Sequence, residues 1–131
     1  MKMKFVPVFV LIITMLATVS QAKSTTVIRS SEAIQHVKEW AIITGSVESI
    51  NFKFGEYLLD IDGIFPEQEF TIVLKANPKI GLKNLRAKFL GKVVYAEGFI
   101  ILDDANPKKA KSTIPDVSLI KTHAPKHAVA G

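Results

Sequence analysis

The chain has 131 residues, which fits a single domain, and its formal net charge is +5, from 17 Lys and Arg against 12 Asp and Glu. This length excludes a multidomain enzyme, and the absence of Cys excludes a disulfide scaffold and a thiol nucleophile. The mild basic charge does not by itself indicate a polyanion as the partner.

The first 22 residues have the order of a secretory signal peptide. A basic start with Lys2 and Lys4 precedes an apolar run, Phe5–Ala17, that is too short and wrongly flanked for a membrane-spanning helix. Ser20 and Ala22 place small residues at the two positions that a signal peptidase reads. We therefore expect cleavage after Ala22, which leaves 109 of the 131 residues. The product would be periplasmic or secreted and would have no membrane span.

Two short helices are predicted in the remaining chain. We expect residues 23–30 to form a flexible lead-in. The segment Ser30–Val37 predicts a helix, because a Ser cap precedes Glu32 in the first turn. Gly81–Leu90 has helical spacing of its apolar residues, and Gly91 is a typical stop. Residues 121–131 have no apolar period, and we expect a disordered tail there.

The other apolar segments alternate with the period of a strand, and Gly45 and Gly98 interrupt two of them. The predicted strands are Trp40–Ile50, Tyr57–Asp62, Phe70–Lys75, Lys92–Leu102 and Ser112–Ile114. A further apolar patch covers Val117–Ile120.

This order of elements predicts an all-β fold over residues 31–120, a five-stranded OB-fold barrel. It has a short N-terminal helix and a second short helix between strands three and four. An immunoglobulin-like sandwich fits less well, since it needs about seven strands and has no place for the inserted helix. Alternation in the second and third strands places six side chains inside the barrel: Tyr57, Leu59, Ile61, Phe70, Ile72 and Leu74.

Several short motifs resemble those of a family of small exported bacterial OB-fold domains. The matching residues are Glu32-Ala33, His36-Val37, Gly45–Val47, Gly55–Gly63, Phe65-Pro66, Phe70-Thr71, Gly91–Val94 and Gly98. Relatives of this kind are described as nucleic-acid-binding OB-folds, and some occur beside secreted nuclease domains. The resemblance implies single-stranded DNA or RNA as the ligand. This chain differs from the family before the last strand, where it has Asn106-Pro107 and a Lys-rich insert.

The loops of the predicted barrel offer a nucleic-acid-binding surface. Phe52, Lys53 and Phe54 interleave aromatic rings and a cation in the first loop. Lys108, Lys109 and Lys111 lie in the connection before the last strand. Single-strand binders stack bases on aromatic rings and follow the backbone with cations. The alternative is that one Phe packs over the end of the barrel and that the lysines form an ordinary solvated loop.

The open face of strands two and three offers a different surface, which would be solvent-exposed. It presents Leu58, Asp60, Asp62, Thr71, Val73 and Lys75. Two carboxylates with one Lys and no aromatic ring would repel a phosphate backbone. This face predicts the alternative function, a periplasmic module that binds a protein or peptide without affinity for nucleic acid.

Chemistry of other kinds has little support. His123 and His127 are separated by Pro125, which breaks the helix that would align them to bind zinc. We interpret His36 as a partly buried packing residue. The Asp60–Gly63 segment lacks the further oxygen ligands of a calcium loop. We therefore expect no metal, no cofactor and no enzymatic activity.

Overall fold

The computed structural model describes residues 25–75, 79–126 and 128–130. The predicted signal peptide lies outside these described residues. Within them the strands are β1 Thr25–Arg29, β2 Trp40–Lys53, β3 Glu56–Ile61, β4 Phe70–Lys75, β5 Val93–Phe99, β6 Ile101–Leu102, β7 Ala110–Ile114, β8 Ile120–Lys121 and β9 Ala128–Ala130. The α-helix α1 is Leu82–Phe89, and the two 3₁₀ helices are Ser30–His36 and Val117–Leu119.

The sheet curls around the long strand β2. The first half of β2 pairs antiparallel with β5, and its second half pairs antiparallel with β3. From β3 the ladders continue antiparallel to β4, parallel to β7 and antiparallel to β6, which Ile100 alone separates from β5. The ladders therefore lead around the molecule and back to β2. This mostly β, curled architecture is consistent with the predicted OB-like barrel.

Strand β2 serves two ladders because it is bent. The ladder with β3 shifts register between Val47 and Ser49, so the intervening residue is a β-bulge. The inward-facing positions move from odd to even numbers across the bulge, with Val47 buried before it and Ile50 after it. A Cβ at Gly45 would overlap the side chains of Ile61 and Asp62, so this position requires a glycine. The glycine therefore marks a close approach of β2 to the end of β3.

The predicted barrel interior is confirmed. Six alternating positions of β3 and β4 are buried in one hydrophobic core: Tyr57, Leu59, Ile61, Phe70, Ile72 and Leu74. Neighbouring strands add Ile43, Val47 and Val94 to the same core. Alternation identifies these residues because every second side chain of a strand points to the same face.

The predicted second helix is also confirmed as α1. Its buried residues are Leu85 and Phe89, and Gly91 follows it with a φ of 77°. The Arg86 Nε and Nη2 atoms donate to the carbonyl oxygen of Ile50, at 3.1 and 2.8 Å, which fixes α1 against β2. Among the described residues, no helix has the length and apolar character needed to cross a bilayer.

The strand count differs from the predicted five, because nine strands are present among the described residues. The predicted lead-in contains β1, which pairs in parallel with Ile42–Thr44 of β2 and buries Ile28. The predicted tail contains the end of β8, paired with β5, and β9, paired with β1. These additional strands are short. Backbone hydrogen bonds to neighbouring strands hold them, so their sequences do not need a regular alternation of apolar and polar side chains.

Candidate functional site

An open groove of about 540 Å³ lies on the outer face of β3 and β4, opposite the hydrophobic core. Its floor is made by Leu58, Asp60, Thr71 and Val73. One side is formed by Asn51–Phe54, at the end of β2 and in its turn toward β3. Other sides come from the β3–β4 loop and from the loop before β7. We call this feature the outer groove.

Strand register places the floor residues side by side. Leu58 of β3 pairs with Val73 of β4 and with Asn51 of β2. The next row joins Ser49, Asp60, Thr71 and Lys111 across four strands. Paired residues on neighbouring strands share a face, so the two rows form one continuous surface.

The structure brings four of the six predicted nucleic-acid-binding residues to the outer groove: Phe52, Lys53, Phe54 and Lys111. Lys108 and Lys109 do not line it. Lys108 is exposed in the loop before β7, and the Lys109 Nζ atom lies 3.9 Å from the Glu69 carboxylate.

The predicted alternative face contributes its four central residues, Leu58, Asp60, Thr71 and Val73, to the same groove. Asp62 does not line it, because β3 ends at Ile61 and Asp62 has a φ of 54°. Its carboxylate accepts hydrogen bonds from the Ser30 hydroxyl and from the Ser46 N–H, the latter at 2.9 Å. Lys75 is exposed at the end of β4 and also lies outside the groove.

The prediction that this face is solvent-exposed is wrong at its centre, where Asp60, Thr71 and Val73 are buried. The β3–β4 loop folds back over the strands and covers part of the face. The Phe65 N–H donates to Asp60 Oδ2 at 3.3 Å, and Gln68 Nε2 donates to Thr71 Oγ1 at 3.1 Å. The outer face is therefore a groove with a covered floor.

The floor and the β3–β4 loop above it contain hydrogen-bond acceptors with incomplete partners. Asp60 is 4% exposed and accepts from the Ser49 hydroxyl at 2.7 Å and from the Phe65 N–H, both at Oδ2. Among the described residues, no cation lies within 4 Å of this carboxylate, and the buried Oε1 atom of Gln68 has no hydrogen-bond partner.

Exposed aromatic rings stand around the opening. Phe54 is 92% exposed, and Phe65 of the β3–β4 loop is also exposed. The Lys53 Nζ atom lies 5.9 Å from the centre of the Phe54 ring. Phe52 instead contacts Tyr57, with the ring centroids 5.1 Å apart, and is about half exposed. Phe54 and Phe65 are therefore the rings best placed to contact a ligand.

The charges around the groove are mainly negative. Four carboxylates line it, those of Glu56, Asp60, Asp103 and Asp104. The lysines that line it are Lys53 and Lys111, and Lys111 Nζ already lies 3.5 Å from Asp104. The lining therefore has an excess of two formal negative charges.

Sequence patterns missed the groove residues that loops supply. Gln68, Asp103 and Asp104 lie outside regular strands and have no periodic signal. Phe65 stands before a Pro, which marks a turn but not the direction in which that turn folds. Their position depends on tertiary contacts such as the Phe65 hydrogen bond to Asp60.

No candidate metal centre appears in the part of the chain that the structure describes, since no three His, Asp or Glu side chains are grouped to hold an ion. His36 instead contacts Glu39, with 2.9 Å between Nδ1 and Oε1.

No protein-family model and no curated protein matches this chain. A crystal structure of a putative aspartyl-tRNA synthetase from Leishmania major Friedlin is similar to 81% of this chain, with 13% sequence identity and a TM-score of 0.49. This chain covers 22% of the length of that structure. The resemblance to exported bacterial OB-fold domains stays a prediction.

Proposed function

We propose that this protein is an exported binding module of the OB-fold type, without catalytic activity, and that its ligand binds in the outer groove. One observation carries the proposal. Two residue sets were chosen for different ligands, the loop set with Phe54 and the face set with Asp60, and four of the six residues of each set line a single cavity. In OB-folds the second and third strands and the adjoining loops form the usual binding face, and the proposal assigns β3, β4, the β2–β3 turn and the loop before β7 to those roles.

The ligand class that fits the groove best is a peptide segment of a partner protein. Leu58, Val73, Phe54 and Phe65 give the groove an apolar and aromatic surface. The excess of carboxylates makes the groove unfavourable for a phosphate backbone, since each phosphate would approach negative charge. A peptide with apolar and basic side chains would pack on the apolar surface, and the carboxylates would attract its basic groups.

Single-stranded DNA or RNA is the second candidate, and the exposed Phe54 ring beside Lys53 is the observation that favours it. Base stacking on an aromatic side chain contributes about 1–3 kcal/mol per base and tolerates any sequence. Lys108 and Lys109 would then contact phosphates from the loop before β7, and Lys111 from β7 itself.

A binding assay with two labelled probes tests the proposal. The probes are an acetylated random hexapeptide pool and a twelve-residue thymidine oligonucleotide, each at low and at moderate salt. We expect Phe54→Ala to weaken binding of the peptide pool about 5–10-fold, as for loss of a stacking or apolar anchor. The control Phe99→Ala removes an exposed ring that does not line the groove, and it should leave binding unchanged.

Other outcomes would change the conclusion. Oligonucleotide binding that falls steeply with salt, and flattens when Lys108, Lys109 and Lys111 are changed to Gln, would establish the second candidate. Asp60→Asn would then leave binding unchanged or improve it. Peptide binding that is equally strong in Phe54→Ala and wild-type protein would exclude the outer groove as the site.

Export of the protein predicts that the signal peptide is removed at a defined position. When the whole chain is expressed in a bacterium, the exported protein should begin at Lys23, because Ser20 and Ala22 present the small residues that signal peptidase needs. N-terminal sequencing and intact mass of the periplasmic and secreted fractions measure this. An exported protein that retains Phe5–Ala17 would contradict the prediction.

A further inference from the structure

We propose that the outer groove contains a subsite for an arginine side chain of the bound peptide, with Asp60 of the floor and Gln68 of the β3–β4 loop as its acceptors. This inference rests on the proposed peptide-binding function. It follows from these two acceptors, from the charge of the groove and from the apolar surface beside them.

Asp60 is a buried carboxylate with no cation within 4 Å among the described residues. Buried charges in proteins are usually paired, because removing an ion from water is costly. Both of its hydrogen bonds end on Oδ2, from the Ser49 hydroxyl and the Phe65 N–H. Within the described residues no hydrogen bond reaches Oδ1, which leaves that oxygen for a donor on the ligand.

Gln68 provides the second, independent acceptor. Its side chain lines the same groove and is 4% exposed. The Nε2 atom is engaged by Thr71, so the amide presents Oε1 as its remaining polar atom, and this oxygen has no partner among the described residues. A buried acceptor without a donor is uncommon in folded proteins. Because Oε1 is enclosed in the free protein, a ligand donor would reach it only after the Gln68 side chain turns toward the groove.

In the part of the chain that the structure describes, no lysine is paired with Asp60. Lys111 shares the cross-strand row with Asp60, but its Nζ atom lies 3.5 Å from Asp104. Lys53 lies over the Phe54 ring at the edge of the groove. These lysines therefore leave the buried Asp60 carboxylate without a charge partner, which a positive group of the ligand would supply.

An arginine side chain suits these two acceptors through the number of its donors as well as through its charge. Its planar guanidinium has five N–H donors in a fixed fork, so one group can serve two acceptors. Its aliphatic stem would lie along Leu58 and Val73, the row next to Asp60 and Thr71. The negative excess of the groove adds attraction for the same ligand.

Two acetylated hexapeptide pools test the subsite, one with a fixed central Arg and the other with citrulline, its neutral isostere. We expect the Arg pool to bind wild-type protein at least 10-fold more tightly. Asp60→Asn keeps the size of the side chain and should remove this preference. The control Asp116→Asn makes the same substitution at an exposed side chain that does not line the groove, and it should retain the preference. Gln68→Met, which removes the amide, should reduce the preference without removing it.

The outcomes separate the subsite from the function on which it rests. Equal binding of both pools, still weakened by Phe54→Ala, would overturn the arginine subsite and leave the peptide-binding function standing. Failure of both pools to bind, with binding of the thymidine oligonucleotide, would overturn both. A preference for Arg that survives Asp60→Asn but is lost in Asp104→Asn would also overturn the subsite, because the cation would then be held at the edge of the groove.

Discussion

Ile72→Ala should lower the free energy of unfolding by about 2–5 kcal/mol, because it removes buried methyl and methylene groups and leaves a cavity. Ile72 is completely buried in the core, in the middle of β4. Its strand is held between β3 and β7, so the backbone has little freedom to close the cavity. Since small domains have only about 5–15 kcal/mol of stability, this single change would remove a large part of it.

Urea unfolding followed by circular dichroism measures this loss, and the chain offers a matched control. Ile64→Ala makes the same chemical change in the β3–β4 loop, where the side chain is 58% exposed. The control should change stability by less than about 0.5 kcal/mol. A loss below that value for Ile72→Ala itself would mean that the two faces of β4 are assigned the wrong way round.

The central strands were predictable because their burial repeats with a period of two. Phe70–Lys75 is predicted with the same bounds as β4, and its inward residues are those that alternation selects. Helix α1 was predictable in the same way, from the spacing of Leu85 and Phe89 and from Gly91 at its end. In these elements local pattern and tertiary burial agree.

The sheet additions at the two ends of the chain were not predictable from side-chain pattern. Strand β1 has five residues, and β9 has three, both held by backbone pairing. Backbone N–H and C=O groups are the same in every residue except proline, so such pairing leaves little trace in the sequence. The bulge in β2 was also not predicted, because the alternation of side chains alone does not show where the register of a strand pair shifts.

The candidate site was likewise predictable where it depends on strand alternation and not predictable where it depends on tertiary contacts. Alternation correctly put Leu58, Asp60, Thr71 and Val73 together on one face, and the register of β3 and β4 confirms it. It did not show that the β3–β4 loop covers this face, because that depends on single contacts such as Gln68 to Thr71. The buried state of Asp60, from which the arginine subsite is inferred, is therefore a property of the tertiary structure.

Gly98→Ser should lower the free energy of unfolding by about 2–4 kcal/mol, because β5 passes β7 too closely at this position for any side chain. A Cβ at Gly98 would overlap the Ser112 hydroxyl and would lie 2.7 Å from Ile114 Cδ1. Both neighbours are buried in β7, so neither can turn toward solvent. The Ser112 hydroxyl also donates to the Phe99 carbonyl at 2.7 Å, and displacing it would break this hydrogen bond.

Gly81→Ser is the matched control, since it adds the same side chain at a glycine with no atom near the new Cβ. Gly81 is the N-cap of α1 and has an extended backbone, and serine is among the preferred residues at that position. The free energy of unfolding of the Gly81→Ser variant should change by less than about 0.5 kcal/mol, or rise slightly. Equal unfolding midpoints for Gly98→Ser and Gly81→Ser would contradict the close approach of β5 to β7. Because β5 leads directly into β6 and β6 pairs with β7, that result would also argue against the closure of the curled sheet on this side.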